Sequence, residues 1–254
     1  MKDQTVLKQF FPSTLFQFIV VFVVSLIFTT PVVFIKPFFL DDQFFLIVYI
    51  SILMSFFILI ITYKNKERGQ KINFTFNIVK HDTILLMTLS VIVFQLGVNI
   101  PINETISKSV IFFDTSSRSL LFMFGVLILG PIIEEIIFRG ILLKGLFQNN
   151  RPLKAILISS ILFAVFHFNL LQFFVAICLG FLLGFEYYKT KSIGNTILLH
   201  AFANLIALLG RYFFIKNSDI ISLWMVVICV IVSIFILIFL IKNMKISDLL
   251  KSCK

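Results

Sequence analysis

Eight stretches of this chain are apolar over lengths that constrain every other feature of its fold. A membrane-spanning helix needs about 20 mainly apolar residues, and each of the eight segments approaches or exceeds that length. Hydrophobic residues make up 59% of the 254 positions. The segments are 14–35, 44–63, 83–100, 119–147, 153–168, 170–188, 193–214 and 220–241. The sequence therefore predicts an all-α, polytopic membrane protein of about eight transmembrane helices.

The composition excludes several classes of soluble protein. Only 13% of the residues are charged, whereas a soluble domain carries about 25%. A soluble fold of this size could not bury so much apolar surface, which excludes a cytosolic enzyme, a secreted disulfide scaffold and a disordered chain. The first apolar run is too long for a signal peptide and is predicted to be an uncleaved first helix. With no repeat or long linker, residues 1–254 are predicted to form a single membrane domain.

The basic residues are distributed unevenly between the two sides of the predicted membrane. Sixteen of the 22 Lys and Arg residues lie in the N-terminal tail, the segments 64–80, 144–154 and 189–191, and the C-terminal tail. Five lie on the opposite side, so the positive-inside rule predicts that both termini are inside. No basic stripe is present, and we expect contact with membrane lipid and not with nucleic acid. The abundance of Phe, Ile and Lys is typical of an AT-rich bacterial genome, which favours the bacterial cytoplasmic membrane.

Two features of the apolar segments predict local geometry. Segment 119–147 is too long for one simple span and carries Gly130 and Pro131 near its middle. Proline removes a backbone donor and clashes with the preceding turn, so we expect a kink or a break there. Segments 153–168 and 170–188 nearly touch, which predicts a tight hairpin between them.

Few ionisable groups are placed at membrane depth, where each costs about 2.5–3.5 kcal/mol on insertion scales. Glu135 and Arg139 are four residues apart and share a helix face, where a bidentate ion pair would neutralise both. Glu134 lies about 100° round the helix, has no local partner, and is free to take a proton. Pro131 fits the first turn of a restarted helix, which would place both glutamates near its positive end. The alternative is a structural ion pair with one spare, protonated glutamate.

Two further pairs of residues are spaced for one helix face. Phe163 and His167 are four apart, so the phenyl ring can pack under the imidazole; the alternative is a histidine hydrogen-bonded at the interface. His200 and Asn204 have the same spacing and can present donors to a substrate carbonyl oxygen. The alternative for that pair is interhelical hydrogen bonding. In lipid, such polar groups must find one another or water, so the sequence predicts that they meet within the bundle.

These three motifs, in this order, resemble those of the CPBP intramembrane endopeptidases, also called the CAAX protease and bacteriocin-processing, or Abi, family. The motifs are Glu134-Glu135-x-x-x-Arg139, Phe163-x-x-x-His167 and His200-x-x-x-Asn204, and they cover residues 134–204. The resemblance implies hydrolysis of peptide bonds within the membrane.

The resemblance also implies a role for each motif residue. Glu134 would activate the water with help from His167, and Glu135 and Arg139 would hold that first carboxylate in place. His200 and Asn204 would bind the oxyanion. We expect no cofactor, and the alternative is a zinc ion held by Glu134, His167 and His200. Against zinc, the HExxH motif is absent and two adjacent glutamates are not a compact ligand pair.

Other functions remain open at this stage. A chain of the same fold could act without cleavage, as a bacteriocin self-immunity or scaffold protein. A transporter also places polar residues at a broken helix, but inverted repeats are absent from this sequence. The expected substrate of a bacterial protease of this kind is a hydrophobic or membrane-bound peptide, such as a pheromone or bacteriocin precursor, and not a prenylated protein.

Residue counting raises one difficulty for a shared site. It places His200 nearer the inside face and His167 nearer the outside end of its span. The two histidines can meet only if the span that carries His167 starts deep, or if segment 119–147 breaks at Pro131 and runs shallow.

Overall fold

The regular secondary structure of the described residues is helical. The computed structural model describes residues 10–38, 42–70, 74–78, 120–167 and 170–216, with a few helical positions at 88–89, 91–92, 95, 231–232 and 235. Within these residues no β-strand is found. The helices are α1 (Leu15–Thr29), which continues as a 3₁₀ segment over Thr30–Phe38, α2 (Asp42–Glu67), α3 (120–146), α4 (Pro152–Val165), α5 (Leu170–Thr190) and α6 (Ile193–Lys216).

Helix α3 changes its hydrogen-bond register twice but does not break. It runs as α-helix over Leu120–Phe124, as π-helix over Gly125–Leu129, and as α-helix over Gly130–Glu135. A second π-helical segment, Ile136–Leu143, leads into a last α-turn, Lys144–Leu146. Six of the eight predicted segments thus contain a long helix, and this one is continuous.

Of the kink or break predicted at Gly130 and Pro131, the break does not occur, and the π register explains why. The amide of Gly130 donates to the carbonyl oxygen of Gly125, five residues back. Pro131 follows, and it has no N–H to donate, so the wide turn ends where a donor is missing. Because the chain before Pro131 is already helical, the two glutamates do not lie at a free, positive helix end.

Helices α4 and α5 form an antiparallel pair with close backbone contact. Gly180 contacts Ser160 and Gly184 contacts Ile156. Residue numbers therefore rise along α5 as they fall along α4, which is the pattern of antiparallel helices. Residues 168–169 lie outside the described residues, so the predicted tight turn between the helices is untested. Helix α4 has only 14 residues, a length of about 21 Å, which is shorter than the hydrocarbon core of a bilayer.

The core lies where α3, α4 and α5 meet, with α1 and α2 packed on one side. Buried aliphatic side chains come from α3 and α4, such as Ile141 and Ile156. Phenylalanines extend the contact outward: the ring of Phe18 in α1 lies 5.1 Å from that of Phe57 in α2, and Phe22 lies 4.4 Å from Phe166. These contacts hold α3 and α4 against the neighbouring helices.

Two helices within the described residues are long and apolar enough to cross a bilayer. They are Leu15–Phe34 and Val48–Glu67, with mean hydropathy 2.3 and 1.6. Only 22% of the most apolar stretch of each is buried in the protein, and the outward residues include Phe16 at 74% exposure. The predicted segments 83–100 and 220–241 lie largely outside the described residues, so the count of eight spans and the orientation remain predictions.

Candidate active site

The ion pair predicted within α3 is present and entirely buried. Arg139 Nη1 lies 2.9 Å from Glu135 Oε1, and both side chains are 0% exposed. The pair is not bidentate, because the second guanidinium nitrogen, Nη2, donates to the Gly180 carbonyl oxygen of α5 at 3.1 Å. Arg139 therefore neutralises Glu135 and also ties α3 to α5.

Glu135 also holds a histidine from α6. His200 Nδ1 lies 2.9 Å from Glu135 Oε1, the same oxygen that accepts from Arg139. An ionised carboxylate only accepts hydrogen bonds, so we assign the imidazole hydrogen to Nδ1. The family resemblance implied that Glu135 and Arg139 hold Glu134 in place, which stays a prediction. The hydrogen bonds of Glu135 run to Arg139 and His200, and they direct Nε2 of His200 toward the adjacent glutamate.

Glu134 is the accessible carboxylate of the site. Its side chain is 33% exposed, and its Oε2 lies 3.9 Å from His200 Nε2. That oxygen has no hydrogen-bond partner among the described residues. A separation of 3.9 Å is too long for a direct hydrogen bond. This oxygen is buried, so the exposed part of the side chain lies elsewhere on Glu134.

His167 lies just beyond the end of α4 and packs as the sequence predicted. Its ring makes a T-shaped contact with the Phe163 ring, with centroids 4.8 Å apart. Its Nδ1 lies 2.7 Å from the Phe163 carbonyl oxygen, which leaves Nε2 as the nitrogen available for other contacts. The structure records no hydrogen bond between His167 and Glu134 within the described residues.

The two histidines do reach one neighbourhood, because both contact Phe163. The His200 ring lies 5.6 Å from the Phe163 ring. Helix α4 is short, so it ends at the level of the site, and no break in α3 is needed to bring the histidines together. This resolves the difficulty in their expected depths.

Asn204 faces α3, as His200 does, but one of its amide hydrogens is already used. Its Nδ2 donates to the Val126 carbonyl oxygen at 2.9 Å, within the first π-helical segment. The predicted shared face of His200 and Asn204 is therefore confirmed. The side-chain amide has a second hydrogen, which remains for a substrate.

A scan of known families matches the part of the chain that carries these residues. Residues 116–206 match the model described as "Type II CAAX prenyl endopeptidase Rce1-like". This match supports the resemblance of the segment to the CPBP family. All six predicted site residues fall within this segment, and the family, together with the apolar helices, indicates an integral membrane protein.

A curated relative is similar to part of the chain. "Putative membrane peptidase YdiL" of Bacillus subtilis (strain 168) is 39% identical over 77 residues, which are 30% of this chain. The match spans about a third of the relative's length, 32%. No solved structure is significantly similar to the chain.

The alternative zinc site can be compared with the positions of its three candidate ligands. Within the described part of the chain, no three His, Cys, Asp or Glu side chains are grouped to hold a metal ion. His200 Nδ1 contacts Glu135 and His167 Nδ1 contacts a carbonyl oxygen, which leaves Nε2 of both rings available. The zinc alternative stays a prediction, and no step of the mechanism below uses a metal ion.

Sequence reasoning missed several polar contacts around α6. Glu186 is fully buried in α5, and Asn195 donates to its Oε1 at 2.6 Å. Gln95, within the predicted third span, donates to the Ala203 carbonyl oxygen at 3.1 Å. The sequence could have indicated Glu186, which is a carboxylate inside an apolar run. It could not indicate the contact of Gln95, which joins residues 108 positions apart.

A large apolar cavity lies near the site but on another face of α6. Its volume is about 500 Å³, and its lining includes Leu127, Leu198, Phe202 and Leu205. Successive helix residues turn by about 100°, which places these α6 positions opposite His200 and Asn204. The cavity is therefore not the space in front of Glu134.

Proposed function

We propose that this protein is an intramembrane endopeptidase that hydrolyses a peptide bond in a hydrophobic or membrane-bound peptide. The observation that carries the proposal is the difference between the surroundings of the two adjacent glutamates. Glu135 is buried and neutralised by Arg139, while Glu134 is accessible and faces a histidine whose other nitrogen is held. Such a pair of unequal carboxylates is typical of sites where one group takes a proton and the other orients its partner.

In the proposed mechanism, a water molecule binds at the exposed part of the Glu134 side chain, which is 33% exposed. Glu134 removes a proton from this water as its oxygen forms a bond to the scissile carbonyl carbon. The carbonyl π electrons move to the oxygen, which becomes the oxyanion. When the tetrahedral intermediate collapses, the C–N bond breaks and the proton on Glu134 passes to the leaving amine nitrogen. Loss of a general base typically costs about 10²–10⁴ in rate.

The oxyanion needs hydrogen-bond donors, and α6 supplies the candidates. Asn204 retains one amide hydrogen beyond the bond that it makes to Val126. His200 can donate from Nε2 only when both of its nitrogens are protonated, because its Nδ1 hydrogen is directed at Glu135. Removal of one oxyanion donor typically costs about 10²–10³ in kcat. His167 is proposed to assist the water through its remaining nitrogen, Nε2.

The continuous course of α3 bears on the rival functions. Midplane transport sites are commonly built from interrupted helices, and α3 passes Pro131 without interruption. A self-immunity or scaffold role requires no chemistry, and so does not account for an accessible carboxylate that faces an oriented histidine. Both rivals remain outcomes of the experiment below.

The proposal is tested with the full chain reconstituted in lipid vesicles with short membrane-bound peptides, such as bacteriocin or pheromone precursors. Mass spectrometry should detect two products whose masses sum to that of the substrate plus one water. Strong chelators should leave the rate unchanged. Loss of activity with a chelator and its return with zinc would replace the proton roles of His167 and His200 by metal binding. No cleavage of any peptide at full protein loading would favour the scaffold or transport functions.

A further inference from the structure

One phenyl ring lies between the two histidines of the candidate active site. The Phe163 side chain is fully buried, and its ring makes T-shaped contacts with the rings of His167 at 4.8 Å and His200 at 5.6 Å. The Phe163 carbonyl oxygen also lies 2.7 Å from His167 Nδ1. A single residue thus contacts two imidazoles that come from different parts of the chain.

The guanidinium of Arg139 packs on the same ring. Its Cζ lies 4.6 Å from the ring centroid, within the range of about 6 Å over which a cation is attracted to an aromatic face. Arg139 donates to Glu135, and Glu135 holds His200. Phe163, Arg139, Glu135 and His200 therefore form a closed loop of contacts, and His167 is attached to it through Phe163.

We infer that Phe163 is a positioning residue, which sets the orientation of His167 and His200 relative to Glu134. An aromatic ring has a negative face and a positive edge, so it can hold a cation and edge-contacting rings in fixed directions. An aliphatic side chain fills the volume without setting those directions. The effect of Phe163 on cleavage rests on the proposed function, but its effect on the imidazoles does not.

The chain offers a matched control for this inference. Phe138 is also a buried phenylalanine, with its side chain 3% exposed. Its ring packs against Phe163 at 5.3 Å and against Phe18 at 6.2 Å. The structure gives Phe138 no ring contact with Arg139, His167 or His200. Phe163→Leu and Phe138→Leu remove the same ring from the same core and differ in these polar partners.

The first measurement records the imidazoles directly and needs no substrate. The chain has three histidines, so histidine-selective ¹⁵N labelling of the protein in detergent or nanodiscs gives three pairs of ring signals. We expect Phe163→Leu to move the ring signals of His167 and His200, and Phe138→Leu to move those signals much less. Equal shifts in the two variants, or none in Phe163→Leu, would overturn the positioning role.

A second variant keeps the test available if Phe163→Leu does not fold. Trifluorophenylalanine at position 163 keeps the size of the ring and weakens its negative face, so packing is preserved while the Arg139 contact is reduced. The same replacement at position 138 is the control. Changes in the histidine signals confined to position 163 support the inference, and changes equal at both positions contradict it.

The third measurement connects the positioning role to the proposed reaction. Small displacements of reacting groups can cost about 10²-fold in rate, so we expect kcat of Phe163→Leu to fall by about 10- to 100-fold while KM changes little. Phe138→Leu should keep kcat within about twofold for each folded molecule. A fall in kcat that is equal in both variants would contradict the inference. Unchanged cleavage by Glu134→Gln would instead overturn the proposed function, and the histidine spectra would still decide the role of Phe163.

Discussion

Glu134 and Glu135 are neighbours in the sequence and lie in different surroundings in the fold. A step of about 100° between them turns one toward the core and the other toward accessible space. The buried side chain of Glu135 is hydrogen-bonded to Arg139 and His200, whereas Glu134 makes no direct hydrogen bond to either residue. The two residues are therefore not interchangeable. Glu134→Gln and Glu135→Gln should have different effects.

The first residue-level prediction concerns Arg139. Arg139→Leu leaves Glu135 as an unpaired buried charge, and breaking such a pair costs about 3–5 kcal/mol. We expect a large loss of protein accumulated in the membrane, measured by quantitative immunoblotting of membranes from the same cells. Arg151→Leu is the matched control, because its side chain is exposed at the start of α4. Wild-type amounts of fully active Arg139→Leu protein would show that the buried pair contributes little.

Local spacing predicted some of the site contacts and could not predict others. The pairs Glu135–Arg139 and Phe163–His167 are four residues apart, so helix geometry alone brings them together. The contacts of His200 with Glu135 and of Asn204 with Val126 join residues 65 and 78 positions apart. Those contacts depend on how α6 packs on α3, about which the spacing of residues carries no information. For the same reason the sequence did not indicate that Glu135 also contacts His200.

At the scale of the element, α3 was predicted as one long apolar run with a kink or break. Its length and helical character followed from composition, but its two π-helical segments did not. A π turn contains one extra residue in the hydrogen-bonded ring, and no residue type marks it in a sequence. The π segments lie on either side of the α-helical turns that carry Glu134 and Glu135, as such segments often do at functional sites.

An element-level prediction follows from the C-terminal end of α3. A Cβ at Gly145 would overlap the Pro12 carbonyl oxygen, which belongs to the backbone and cannot rotate away. We expect Gly145→Ala to destabilise the protein by about 1–3 kcal/mol through overpacking. The control is Gly184→Ala, where the nearest atom is a side-chain methyl of Ile156 at 3.1 Å. Heating in detergent, followed by assay of the remaining soluble protein, should rank Gly145→Ala below Gly184→Ala, and the reverse order would contradict this packing.

At the scale of the whole molecule, the outward faces of α1 and α2 carry large apolar side chains. Phe28 is 66% exposed and Leu59 is 64% exposed, which is costly in water and favourable in lipid. The sequence predicted this membrane character from its apolar runs. It could not show which helices stop short of the full bilayer, because the 14-residue length of α4 depends on where the turns on either side of it pack.

The topology remains a prediction at this scale. Because Lys and Arg are concentrated on one side by sixteen to five, fusions of a reporter after Arg68 and after the C-terminal tail should both give an inside signal. A fusion after Lys36 should give the outside signal and serves as the matched control. An outside signal at either of the first two positions would contradict both the even number of spans and the orientation of the site.

The measurement that tests the account most directly is the rate of peptide cleavage by Glu134→Gln, for each folded molecule, in the same membranes as the wild type. The amide keeps the shape of the side chain but cannot remove a proton from water, so the rate should fall by about 10²–10⁴ with normal protein abundance. Glu67→Gln, at an exposed carboxylate paired with Lys64, should cleave at the wild-type rate. Cleavage by Glu134→Gln at the wild-type rate would contradict the proposed site. If Glu67→Gln lost as much activity as Glu134→Gln, the loss would not be specific to Glu134.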